Sequence, residues 1–205
     1  MTLFNKAYIL NLGNKKPPVQ VGKFHLGGNF LKVIICDDYK SQSAAGADII
    51  EKIVREKPDC CLGLATGSSP VGMYQELARR CREEGLDFSK VHTVNLDEYI
   101  GLEPTHDQSY RYFMDSNLFD HINIDKKNTY VAKGTGNIDA NIAEFQAVIA
   151  NSCVELQVLG VGPDGHLAFN EPGKELYWHA HKEILDESTI DANARFFASR
   201  DEVPR

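Results

Sequence analysis

The chain has 205 residues, 42% hydrophobic, 25% charged and 9% aromatic, the make-up of an ordinary globular protein rather than a disordered or collagen-like one. Lys and Arg number 22 against 29 Asp and Glu, a formal net charge of −7. With no long run of either sign, nucleic acid is not expected as a partner. No apolar run approaches the ~18 residues of a membrane span, and Asn11 interrupts residues 7–10 too early for a leader core. A cytoplasmic location is therefore expected, with no membrane partner.

Taken in chain order, residues 1–30 stand apart. They hold Pro17-Pro18 and Gly27-Gly28 and carry no sustained helical period, so a loosely held extension is expected. Residues 32–37 form a β-branched run that reads as a buried strand. Residues 41–57 have Ala45, Ile49, Ile50 and Ile53 on one helical face, ended by Pro58. A strand over 60–64, a turn over 66–70 and a helix over 71–84 follow, then a strand over 91–96 and a helix over 109–119. A short strand over 128–131, a helix over 137–150 with Ile138, Ile142, Phe145 and Ile149 on one stripe, and an apolar strand over 156–161 complete the pattern.

Strand and helix in alternation predict an α/β fold: a doubly wound, mostly parallel sheet with helices on both faces, Rossmann-like. At this length a single such domain is expected, burying roughly 70% of its unfolded surface. In such sheets ligands sit beyond the carboxyl ends of the strands, which directs attention to the segments after Leu64, Leu96 and Val161. The five cysteines, Cys36, Cys60, Cys61, Cys81 and Cys153, are odd in number and include no C-x-x-C. No metal site or disulfide framework is expected, and Cys60, Cys61 and Cys153 read as small buried hydrophobes.

Each strand end carries a polar cluster. Thr66, Gly67, Ser68 and Ser69 precede a helix. Small residues with free N–H groups and hydroxyls suit a phosphate, while the structural alternative is a turn with a Ser N-cap and Pro at the first helical position. Asp97 and Glu98 end the next strand; adjacent side chains on extended backbone point to opposite sides, so one could serve as a general base and the other structurally. Asp164, His166 and Glu171 lie in a Gly-rich stretch after the last strand. They set an imidazole beside two carboxylates, an arrangement suited to proton transfer near neutrality.

Four segments in order, 63–74, 95–101, 109–114 and 160–172, resemble the glucosamine-6-phosphate deaminase family, and the resemblance runs from about residue 32 to 205. It implies residues 1–30 as an extension outside the family match and 31–205 as a deaminase-like domain. The implied activity is isomerisation coupled to deamination of a small-molecule sugar phosphate, glucosamine 6-phosphate and water giving fructose 6-phosphate and ammonia, with no cofactor. By the same resemblance His166, supported by Asp164 and Glu171, assists ring opening. Asp97 matches the base that removes the C2 proton, and Thr66, Gly67, Ser68, Ser69 and Arg195 match the phosphate-binding elements.

Two rivals stand beside this reading. One is a hydrolase resembling 6-phosphogluconolactonase, whose loop usually continues differently after Asp-Gly-His. The other is a sugar-phosphate-binding protein that has lost catalysis. Residues 174–183 depart from the family, with Tyr177 and Trp178 read either as packing or as an altered lid. Some members are hexamers activated by N-acetylglucosamine 6-phosphate through basic residues after Asn-Glu-Pro. Two of those positions are His181 and Glu183 here, so a non-allosteric enzyme is expected, with homo-oligomerisation admitted. The family continues beyond the point matching Arg205 with more sheet and a phosphate-contacting lysine. The fold is therefore expected to lack the family's C-terminal strands, to bind substrate weakly and to self-associate.

Overall fold

The computed structural model describes residues 8–11, 20–26, 29–160, 165–173, 177 and 179–205, with side chains from Val33 onward. Two sheets are present. The N-terminal one joins β1 (Tyr8–Asn11), β2 (Gln20–Leu26) and β3 (Asn29–Ile35) in the order β1-β3-β2, with β1 parallel and β2 antiparallel to β3. The extension expected to be loosely held thus supplies two strands, and the 32–37 run pairs with them rather than with the central sheet. Apolar runs decide that a segment is extended, but not which neighbour it pairs with.

The central sheet is fully parallel, in the order β6-β5-β4-β7: β4 (Cys61–Leu64), β5 (His92–Asn95), β6 (Thr129–Tyr130) and β7 (Val154–Gln157). The helices are α1 (Tyr39–Glu56), α2 (Val71–Glu84), α3 (Tyr110–Asn117), α4 (Ile138–Asn151) and α5 (Glu187–Asn193). From β4 the chain steps through α2 to β5 and through α3 to β6, then returns through α4 to β7 on the far side of β4. Right-handed crossovers therefore place α4 on the face opposite α2 and α3. The reversal at β4 makes the end of β4 the switch point where a crevice opens.

Local chemistry accounts for the helices. Asp38 caps α1 by accepting from Ser41 N at 2.7 Å, with the Ser41 hydroxyl in turn accepting from Asp38 N, a capping box. Gly85, at φ 65°, closes α2 in the left-handed region that favours glycine. The crossing of α1 and α2 is close: a Cβ at Gly46 would come within 2.8 Å of the Met73 sulfur. Arg80, 7% exposed, ties the pair by reaching Glu51 and Asp48 on α1 and Glu76 on its own helix. Ala47, Ile50 and Val54 of α1, Tyr74 and Leu77 of α2, Met114 of α3, and Leu62 and Leu64 of β4 form the main core. A second cluster of Tyr99, Leu185, Ile190 and Val203 lies beyond the strand ends.

Several expectations are corrected. No serine caps α2: its N-cap is Pro70, without a side-chain bond. The last strand begins at Val154, two residues early, and Val158 N adds one further bond to Gly63 O at 2.8 Å. Val161 lies outside the described residues. Cys60 is buried, but Cys61 is half-buried and Cys153 exposed. Helix α5 was not anticipated, since its sequence ESTIDAN carries one large apolar residue, Ile190.

Candidate active site

The 66–69 loop leaves β4 at the switch point, and two tyrosines hold its backbone. The Tyr74 hydroxyl donates to Ala65 O at 2.5 Å and accepts from Ala65 N at 3.2 Å. The Tyr39 hydroxyl donates to Ser68 O at 3.0 Å and accepts from Gly72 N at 2.7 Å. Gly67, at φ 88°, makes the turn that a side chain would strain. Thr66 and Gly67 are half-buried, and Ser68 and Ser69 are exposed at the mouth of the loop. Beneath it, the buried Asn95 donates to Leu64 O at 3.1 Å and so joins the ends of β4 and β5.

Beyond β5 the two adjacent carboxylates meet different surroundings. Glu98 Oε1 accepts from Tyr99 N at 2.8 Å and Tyr110 N at 2.9 Å, and Oε2 accepts from Arg111 N at 3.1 Å. Burial raises the Glu98 pKa, and these three bonds oppose the rise. Asp97 makes no hydrogen bond to a described residue. Burial, with the Glu98 charge adding to it, pushes its carboxyl up to about 7, in the range where a general base works best near neutrality.

The third loop follows β7. Asp164, one of the expected catalytic residues, lies outside the described residues. Gly165 has φ 94° and Ala168 φ 55°, and the turn is closed by Asn170, whose side chain donates to Leu167 O at 2.8 Å. His166 is half-buried. Glu171 Oε1 accepts from Asp186 N at 3.2 Å, so this carboxylate is engaged with the backbone at the start of α5. Arg195 is exposed in a single 3₁₀ turn (Ala194–Phe196), its guanidinium 4.6 Å from the centre of the Phe196 ring.

Aromatic side chains bring these loops together. Tyr99 packs on Tyr110 (5.1 Å between ring centres), Phe169 (4.9 Å) and Phe197 (5.6 Å), and Tyr110 stacks on Phe169 at 5.4 Å. The Tyr110 hydroxyl lies near those of Tyr99 and Thr66, and that of Tyr99 also near Asn193. One ring cluster therefore touches the phosphate-type loop, the Asp97 turn, the His166 loop and the segment carrying Arg195. A cleft of about 320 Å³ opens beside it, lined among others by Asp97, Phe169, Asn170, Ile142, Phe145 and His181. Thr66, Ser68, Ser69, His166, Glu171 and Arg195 lie outside that lining. Tyr177 lines the cleft, 64% exposed and packed at 5.0 Å on His181, while Trp178 lies outside the described residues. Among the described residues no group of three His, Cys, Asp or Glu side chains is placed to hold a metal ion.

Sequence reasoning did not single out Tyr39, Tyr74 or Phe169 for the site. Tyr74 stood out for its helical spacing, but the role of its hydroxyl depends on a tertiary contact that no local pattern records.

A parallel sheet with phosphate-type, carboxylate and imidazole loops at its strand ends defines a class of sugar-phosphate proteins, and the comparisons narrow it. Residues 40–188 match the model of the glucosamine-6-phosphate isomerases/6-phosphogluconolactonase family, and the chain belongs to that family. It is 50% identical over 177 residues to a glucosamine-6-phosphate deaminase of Clostridium perfringens, covering 85% of this chain and 73% of the relative. It is 46% identical to one of a Thermoanaerobacter species, covering 85% and 70%. A solved monomeric glucosamine-6-phosphate deaminase superposes with a TM-score of 0.80 at 38% identity, covering 83% of this chain and 71% of that one. The 6-phosphogluconolactonase of Thermotoga maritima shares the fold, with a TM-score of 0.56 at 22% identity over 79% of this chain and 63% of that one.

Proposed function

We propose that this protein converts glucosamine 6-phosphate and water to fructose 6-phosphate and ammonia, an aldose–ketose isomerisation coupled to deamination in amino-sugar catabolism. The observation that carries the proposal is Asp97, a carboxylate with no hydrogen bond to a described residue, set in a cleft with its pKa pushed up to about 7. Named deaminases at 46–50% identity supply the substrate.

In this mechanism His166, with Asp164 and Glu171, moves the proton needed to open the sugar ring. Asp97 then removes the C2 proton of the open-chain aldehyde, and the electron pair forms the C1–C2 double bond of an enol. Reprotonation at C1 leaves an iminium at C2. Water adds there, and ammonia departs as the ketone forms. Thr66, Gly67, Ser68 and Ser69 bind the phosphate through N–H groups and hydroxyls, and Arg195 contributes a guanidinium of the right chemistry. No step calls for a cofactor. The reading takes the protein as cytoplasmic. Among the described residues no helix is long and apolar enough to cross a membrane.

His181 Nε2 lies 3.1 Å from Glu183 Oε2, so these two side chains engage each other instead of offering a fixed cation to a second phosphate. Rates should therefore be hyperbolic in substrate. Sigmoidal rates made hyperbolic by N-acetylglucosamine 6-phosphate would contradict that part. The decisive assay follows ammonia and fructose 6-phosphate after addition of glucosamine 6-phosphate, where equal amounts of both are expected. Hydrolysis of 6-phosphogluconolactone without ammonia release would assign the site to the hydrolase reading, and binding without turnover of either would assign it to the binding protein.

A further inference from the structure

The turn after β5 places two carboxylates side by side and treats them differently. Glu98 spends both oxygens on three backbone N–H groups, one from its own turn and two from the first residues of α3. Ser109 completes that helix start by accepting from Tyr112 N at 3.0 Å while donating to Pro104 O at 3.1 Å. The first three N–H groups of α3 are thus bound by two side chains, one local and one from the turn that carries Asp97. A carboxylate at a helix N-terminus is favoured in its charged form, and hydrogen bonds to a charged acceptor are among the stronger ones. For Glu98 to take a substrate proton it would have to weaken three such bonds. Asp97 would give up none to a described residue.

The same bonds reach further. Tyr110, whose N–H Glu98 holds, places its hydroxyl against Thr66 and Tyr99. Fixing the start of α3 therefore also fixes the ring that links the phosphate-type loop to the Asp97 turn. We propose that Glu98 is a positioning residue for this reaction: anchored at the start of α3 by three backbone N–H groups, it locks the 97–99 turn and Tyr110 into one unit and presents Asp97 to the cleft. The proposal rests on the reading of Asp97 as the base, and it assigns to its neighbour a role that neither the motif nor the resemblance distinguishes.

The surroundings of Asp97 support the division. From its own turn it meets Glu98 and Tyr99, and from α3 it meets the Tyr110 hydroxyl. The same cleft is lined by Lys133, His179, His181, Lys182, Glu183 and Arg205. Lys133 is held by Glu144 at 2.7 Å, and His181 by Glu183 at 3.1 Å. Burial is the larger influence on Asp97 and the Glu98 charge the smaller. Removing that charge should lower the Asp97 midpoint part of the way.

The test is a carboxyl ¹³C NMR titration of the full chain labelled at Asp and Glu, with the two signals assigned from D97N and E98Q. In the unaltered protein Glu98 should titrate at lower pH than Asp97. In E98Q the Asp97 midpoint should fall by ~0.5 pH unit or more, and the acid limb of kcat/KM should move with it. S109A, which damages the same helix start without touching a charge, should lower Tm and leave the Asp97 midpoint in place. Asp97 titrating before Glu98, an unmoved midpoint in E98Q, or an equal shift in S109A would overturn the proposal. The titration order needs no variant that must fold beyond those used for assignment, and no turnover. Failure of the deaminase reading would appear separately, as absence of ammonia release from the unaltered chain.

Discussion

The two sides of the central sheet are built differently. On one side α1, α2 and α3 close over β4 and β5 with Ala47, Ile50, Tyr74, Leu77 and Met114 all at or below 1% exposure, and the 66–69 loop hangs from that packed layer by Tyr39 and Tyr74. On the other side α4 has no buried residue, although Ile138, Ile142, Phe145 and Ile149 form its stripe, and its wall of the cleft is open. Between the two lies the ring cluster of Tyr99, Tyr110, Phe169 and Phe197. Hydrophobic burial therefore fixes the phosphate-type loop, while the Asp97 turn and the His166 loop depend on a small aromatic cluster and on Glu98. Site precision comes from a few tertiary contacts laid over a generically stable half.

That division can be broken first at the chemistry. Asp97→Asn keeps the shape and hydrogen-bonding capacity of the side chain but removes the carboxylate proposed as the base. Turnover should fall by on the order of 10²-fold or more while substrate binding stays near normal. Steady-state kinetics together with direct substrate titration checks this, and unchanged turnover would remove Asp97 from the mechanism.

The next test compares the two halves directly. Leu77→Ala empties a fully buried position in the packed layer and should cost about 2–5 kcal/mol, because lost contacts and a residual cavity add together. Ile142→Ala removes the same kind of group from the open wall of the cleft. It should cost clearly less, since Ile142 is only partly buried and less apolar surface leaves water there. Denaturant midpoints at constant m-value would measure both. Equal costs would mean that α4 is as tightly covered as α2.

A pH series sharpens the contrast, because Asp97 is a group the fold holds at a disadvantage. Its folded pKa is raised from 3.8 to about 7, so between those values the folded protein retains a proton that the unfolded chain has released. Stability attributable to this group therefore falls as pH rises from about 4 to about 7 and is level above that. D97N lacks this penalty. Its Tm advantage over the unaltered protein should grow across that window and then stay constant, and a difference independent of pH would show that Asp97 is not so perturbed.

How far the sequence foretold this depends on how local each determinant is. Helix α2 was expected over 71–84 and occupies those residues, because Pro70, the apolar stripe and Gly85 all act within a few positions. The four parallel strands and the alternation with helices were legible for the same reason. The pairing of β3 with β1 and β2, the exposure of Cys153 and the existence of α5 were not, since each is settled by neighbours distant in sequence. Within the site, the Thr66–Ser69 turn and the carboxylate pair were visible as clusters. Which carboxylate is anchored follows only from Glu98 meeting the start of α3, and the ring cluster joins residues from 99 to 197. The family resemblance points to Asp97 as the base without that contact.

The smallest expected effect lies in the tight turn of the His166 loop. Ala168 sits at φ 55°, the only non-glycine with positive φ among the described residues, between the paired residues Leu167 and Asn170. An alanine there carries a penalty of roughly 1–2 kcal/mol, because Cβ crowds the following carbonyl. Glycine would relieve it but lose more backbone entropy on folding, roughly 0.5–1 kcal/mol. The two nearly cancel, with strain the larger, so Ala168→Gly should raise Tm by about 1–3 °C in a chain of this size. Because the Asn170 side chain closes the turn on Leu167 O whichever residue stands at 168, the loop should keep its shape in the variant. Turnover should then be unchanged within about twofold, and calorimetry with kinetics on the same sample tests both. A higher Tm with a marked loss of turnover would show that Ala168 confines this loop for the reaction, and the open side of the molecule would then owe its precision to stored strain as well as to aromatic packing.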